Sequence, residues 1–142
     1  MITYILNFLL TILIGSMIFF VVIVSPSVFA TLSTNASSKF LRKIFPRMFL
    51  FGFIIAIFSL VLSYISGNIF NSILLLVIAI SFIINRNYLT PKINSFRDRE
   101  LEGDQIASSN FKYMHLLSVL LFIINFVILL SIIILNYFNY NL

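Results

Sequence analysis

The charged residues of this chain are confined to two short segments. Nine Lys and Arg and four Asp and Glu all fall between Lys39 and Arg47 or between Arg86 and Lys112, and the sequence around and between these segments is almost wholly apolar. With 61% hydrophobic and only 9% charged residues among 142, and with 17 Phe, the chain lacks the polar side chains needed to cover a water-facing surface. Such a chain belongs in a bilayer. A bilayer core takes roughly 20 apolar residues per helix, which gives four spans, approximately Ile2 to Val24, Met48 to Tyr64, Asn68 to Asn85 and Met114 to Leu135. Runs such as Ile73 to Ile80 and Leu129 to Leu135 lack the alternation of a membrane β-strand. The expected fold is an all-α membrane protein, a four-transmembrane-helix bundle made by a single domain, residues 1–142.

Lys and Arg near span ends resist translocation far more than Asp and Glu do. The loops after spans one and three must share a side. They hold all nine basic residues: Lys39, Arg42, Lys43 and Arg47 in one, and Arg86, Lys92, Arg97, Arg99 and Lys112 in the other. Both loops are therefore expected in the cytoplasm, with both termini and the turn Ile65 to Asn68 on the non-cytoplasmic side, in a membrane such as the bacterial inner membrane. Val28-Phe29-Ala30 has the spacing of a signal-peptidase site, but Met1 to Leu10 has no basic residue and the apolar stretch is too long for a signal peptide, so the N-terminus reads as a span. The chain has no cysteine, which removes disulfides, thiolate metal sites and cysteine nucleophiles. The triplet Asn35-Ala36-Ser37 is a formal glycosylation acceptor, discounted because its loop is placed in the cytoplasm.

In the first charged segment, Lys39, Arg42, Lys43 and Arg47 interleave with Phe40, Leu41, Ile44 and Phe45 at helical spacing. This is the pattern of a segment lying among anionic lipid headgroups, each basic residue contributing about 1 kcal/mol. Pro46 is expected to open span two and to hold Phe45 extended. The second segment contains Pro91 and the mixed run Arg97 to Asp104, expected as a solvated helix or turn with weak local ion pairs. Asp98, Glu100, Glu102 and Asp104 do not follow a calcium-loop register. Ser108, Ser109 and Asn110 are expected to cap span four.

Within the spans, Gly52, Ala56, Ser59 and Ser63 share one helix face, as expected of a packing seam rather than a substrate path. Thr11, Gly15 and Pro26, with Asn7 nearby, suggest a second seam in span one, and Ser25-Pro26 a kink or end. Span four carries a polar stripe of His115, Ser118 and Asn125, with Phe122 between them. Polar groups at membrane depth turn inward and find partners. Asn85, Arg86 and Asn87, at the end of span three, lie at the depth of His115, so Asn85, Arg86, His115 and Ser118 form a candidate polar cluster at the cytoplasmic boundary. A single His can relay protons or ligate a metal; it can equally cap or hydrogen-bond a neighbour.

The order of Gly15-Ser16, Ser25-Pro26, Phe45-Pro46, Asn87-x-Leu89-x-Pro91, Arg97 and Phe111-x-x-x-His115-x-x-Ser118 around four spans resembles the domain shared by vertebrate transmembrane protein 205 and its bacterial relatives. The resemblance covers nearly the whole chain. It implies a four-helix membrane domain without an established reaction, and it carries over Pro26, Pro46, Asn87, Pro91, Arg97, His115 and Ser118 as signature positions. The architecture is also similar, more distantly, to small four-helix proteins of copper handling and haem synthesis. Bis-histidine haem ligation needs two histidines and the chain has one, while a His/Met pair would have to join His115 to Met17, Met48 or Met114.

Two functions follow as expectations. The first is a non-enzymatic bundle that handles a small solute or ion or serves as an accessory subunit, without a cofactor, and self-associates because four short helices enclose little volume. The second is a haem- or metal-dependent membrane oxidoreductase using His115. No phosphate loop, Ser/His/Asp set or nucleic-acid motif is present. The net charge of +5 belongs to the orientation signal rather than to a nucleic-acid partner.

Overall fold

Interruptions at Leu32–Ser33, Ser66–Asn68 and Glu102–Asp104 divide the chain into four long helices: α1, Ile2–Thr31; α2, Thr34–Ile65; α3, Ile69–Leu101; and α4, Gln105–Tyr140. The structure, a computed structural model, describes residues 1–140, with side chains through Phe138. Each interruption has a local cause. Leu32 is extended, and the Ser33 side chain accepts from the Ala36 amide at 3.4 Å. Gly67 sits at φ +80°, open to glycine alone without strain, and Asn68 then accepts from the Asn71 amide at 3.0 Å. Gly103, at φ +95°, and Asp104, which accepts from the Ala107 amide at 3.0 Å, repeat the device before α4.

All four helices are long and apolar enough to cross a membrane. Their outward faces carry large exposed apolar side chains such as Phe8, Phe58, Ile73 and Val127, a surface suited to hydrocarbon and not to water. The inward faces pack Leu6, Leu10, Leu13 and Met17 of α1, Phe49 and Ala56 of α2, Leu75, Ile78 and Phe82 of α3, and Leu129 and Ile132 of α4. Gly52, Ala56, Ser59 and Ser63 are all buried on α2, which packs extensively against α3. There a Cβ on Gly52 would stand 2.8 Å from Cζ of Phe82. At the uncharged end, Asn136 joins three helices: its Oδ1 accepts from Asn71 Nδ2 at 2.9 Å and its Nδ2 donates to Asn7 Oδ1 at 2.8 Å.

The structure departs from the sequence reading in the continuity of the charged segments, which extend the long apolar helices. α2 runs from Thr34 through Phe45 and Pro46 without a break, α3 continues to Leu101, and α4 starts at Gln105. Proline removes one helical hydrogen bond, whereas ending the helix at membrane depth would leave several backbone groups unpaired, so the helix persists. The Lys39 to Arg47 stretch is thus the continuation of a transmembrane helix and not a separate surface segment. Asp104, not Ser108 to Asn110, caps α4. The seam expected in span one is also displaced: Thr11, Gly15 and Pro26 are exposed, and nothing lies within 4 Å of a Cβ built on Gly15.

Candidate functional site

Two of the helices contain one wide turn each, and both precede a proline. In α1 the segment Phe20–Val24 is π-helical and leads into Ser25-Pro26; in α3 the segment Asn85–Leu89 is π-helical and leads into Thr90-Pro91. The Ser25 amide reaches back five residues to the Phe20 carbonyl, and the Thr90 amide to that of Asn85. Proline clashes with the carbonyl four residues before it, and one extra residue in the turn relieves that crowding while keeping the chain helical. Ser25-Pro26 therefore does not end α1. The Thr90 hydroxyl adds a 2.7 Å bond to the same Asn85 carbonyl.

Beyond its wide turn α1 parts from α4, whereas α3 stays packed on it. No residue of Phe20–Thr31 has its Cα within 8 Å of a Cα in Gln105–Tyr140, although the earlier part of α1 packs against α4. The space between them is a groove of about 810 Å³ lined by all four helices. Its deep walls are apolar, with Met17 and Phe20 from α1, Phe45 and Phe49 from α2, and Phe122 and Phe126 from α4. Phe20, Phe45, Phe49 and Phe82 form a row of rings with successive centroids 5.1, 6.1 and 6.4 Å apart. The charged end of the groove is polar. Ser37, Ser38 and Arg42 of α2, Thr90, Asn94 and Arg97 of α3, and His115 and Ser118 of α4 line it.

Ion pairs hold this end together. Arg42 forms a two-pronged pair with Asp98, one prong being Nη1 to Oδ2 at 3.0 Å, and so ties α2 to α3. Arg97 binds Glu100 at 2.5 Å and lies 5.3 Å from the ring centre of Phe111, while Glu100 also accepts from the Ser108 hydroxyl at 2.8 Å, tying α3 to α4. Arg99 binds Asp104 at 2.5 Å. The Ala107 amide first, and then the Arg99 guanidinium, hold the Asp104 carboxyl below its ordinary range.

The residues singled out in the sequence are distributed as follows. Ser118 donates to Asn85 Oδ1 at 2.5 Å, and the buried Asn85 Nδ2 has no hydrogen-bond partner among the described residues. His115 lies at the groove wall with its ring stacked on Phe111, centroids 5.9 Å apart. Arg97 joins them in the lining. Arg86 and Asn87 do not: they bond to each other at 3.1 Å, outside the groove, because neighbours on a helix point about 100° apart and Asn85 takes the inward direction. Pro91 is exposed, and Asn125 is buried deeper, donating to Ser81 Oγ at 3.1 Å. The expected cluster of four thus meets as Asn85 with Ser118, with His115 in the lining one turn earlier on α4 and Arg86 outside. Arg42, Ser37, Ser38 and Asn94 were not foreseen in it. Their signal was polar residues recurring at helical spacing through a segment read as a loop.

Among the described residues no group of three or more His, Cys, Asp and Glu side chains converges to hold a metal ion. Four apolar helices and a groove at the charged end define an integral membrane protein of the polytopic helical class. Residues 8–102 match a family described as a domain of unknown function, DUF4149, and the chain belongs to that family. The match spans α1, α2 and α3, and His115 and Ser118 lie beyond it. Neither a curated protein nor a solved structure gives a significant match to the chain.

Proposed function

We propose that this protein is a non-enzymatic, single-domain membrane bundle that binds a small solute in the groove at its charged end, with that end in the cytoplasm and both termini outside. The observation that carries this reading is the groove itself: all four helices contribute to it, and Arg42, Arg97, His115 and Ser118 stand at its polar end, beyond apolar deep walls. The placement of every Lys and Arg toward that same end supports the orientation and a bacterial inner membrane. Lys39, Lys43 and Arg47 are exposed there, available to anionic headgroups. The motif order shared with the transmembrane protein 205 domain supports a place beside that domain. A haem or metal centre at His115 would need a second ligand, for which Met17 and Met48 of the groove wall are the nearest in kind.

Because the chain has no cysteine, single substitutions test this directly. His115→Cys is expected to react with a membrane-impermeant maleimide in inside-out vesicles and not in intact cells, and Ser66→Cys to do the reverse. Protection of His115→Cys from both sides, or labelling of it from outside, overturns the reading. A Soret band in the purified protein that disappears in His115→Ala would replace it with the haem centre.

A further inference from the structure

The groove is open sideways as well as at its end. Ile18, Val21, Val22 and Phe29 on α1, and Val119 and Ile123 on α4, line it while remaining exposed on the outer surface. In a bilayer those two rows are the lips of a slot facing hydrocarbon. Its height corresponds to one leaflet. From Phe111 to Phe126 the lining of α4 rises about 22 Å at 1.5 Å per residue, against about 15 Å for half of the hydrocarbon core and a further headgroup layer. Arg42 along α2 from Ile65, and His115 along α4 from Phe138, each stand about 35 Å away, just past a core roughly 30 Å thick.

The charged groups that line the groove are of one sign, although carboxylates pair with them from outside it. Arg42 and Arg97 line the groove and no carboxylate does. Asp98 occupies two nitrogens of Arg42, and Glu100 one nitrogen of Arg97; a guanidinium has five N–H donors, so each keeps donors for another anion. The chain's whole net charge of +5 also resides at this end. Resting on the groove reading above, we infer that the occupant is an anionic phospholipid of the surrounding leaflet, which slides one acyl chain sideways between α1 and α4 and sets its phosphate against Arg42, Arg97 and the Ser118 end of the wall. The apolar depth takes the chain, and the paired arginines select the head.

The chain has no tryptophan, so one introduced indole reports without background from another. Ile123→Trp places it in the groove wall, and Ile124→Trp places it on the adjacent position, exposed but outside the groove. Each variant is reconstituted in phosphatidylcholine vesicles containing phosphatidylglycerol, with brominated acyl chains on one lipid or the other. Ile123→Trp is expected to prefer quenching by the anionic lipid over the zwitterionic one by roughly fivefold to thirtyfold, the scale set by one or two basic residues. Ile124→Trp should show no comparable preference. The preference should fall to the level of Ile124→Trp in Arg42→Gln/Arg97→Gln and persist in Arg97→Lys. Equal lipid dependence at the two positions, or a preference that survives the double Gln substitution, overturns the inference. Either result leaves maleimide access to His115→Cys unaffected, so failure of the lipid assignment is distinguishable from failure of the groove reading.

Discussion

Gly52→Ala adds a single methyl group where the structure has no room for it. The new Cβ would meet Phe82 at 2.8 Å from Cζ and 2.9 Å from Cε1 and Cε2, inside any real carbon contact, and Phe82 is itself 1% exposed. The ring must tilt or α2 and α3 must separate. Overpacking of this kind costs about 1–3 kcal/mol. In water about 1 kcal/mol would return through the better helix propensity of alanine, but membrane helices remain helical when a bundle comes apart, so that gain cancels between the two states. The expected loss is therefore about 1–3 kcal/mol, measured by reversible unfolding in mixed detergent micelles. Phe82→Leu shortens the offending ring, and in that background Gly52→Ala should cost less than half as much, a coupling read from the double-mutant cycle. A change within about 0.5 kcal/mol of the parent, or equal costs in the two backgrounds, would refute the close approach. Phe49 stands next to Phe82 in the row of rings, so a tilted Phe82 also presses on the groove wall.

Asn136→Leu removes both interhelical bonds of the amide cluster at the uncharged end; at about 0.6 kcal/mol each, and up to about 1.7, the expected loss is roughly 1–3 kcal/mol in the same unfolding assay. Its α1 and α3 partners should lose their restrained amide NMR signals together. Asp104 supplies a pH dependence of known sign. Its carboxyl lies below its ordinary value in the folded chain, so its support of the α4 start is present above about pH 4 and is lost as pH falls through the depressed value. The Ala107 amide shift should follow that titration, and should be flat in Asp104→Ala.

The four membrane crossings were legible because hydropathy and charge are properties of whole stretches, and one-dimensional reading suffices for them. Helix lengths were not. Pro46 has the signature of a helix start, and the basic residues from Lys39 to Arg47 that of a separate surface segment, yet one helix runs through both, because a break at Pro46 would leave backbone unpaired in the bilayer. Matching depths along two spans brought Asn85 and Ser118 side by side, and they are hydrogen-bonded. It could not choose between Asn85 and Arg86 for the inward direction, since that depends on rotation of α3 against α4. Arg42 and Asp98, 56 residues apart, and Asn7 and Asn136, 129 apart, become partners through helix packing that no local pattern encodes.

The wide turn at Asn85–Leu89 separates α3 into two independently phased rods. Because it holds one more residue than an α turn, faces cannot be counted through it at 3.6 residues per turn. Thr90, Asn94 and Arg97 follow one another at spacings of four and three and keep a common face among themselves, while Leu75, Ile78 and Phe82 are phased with the core below. The wall that faces the groove and the wall that faces the core are therefore aimed separately on one continuous helix. A chain with so few polar residues can in this way turn them toward a cavity without turning its apolar stripe out of the bundle.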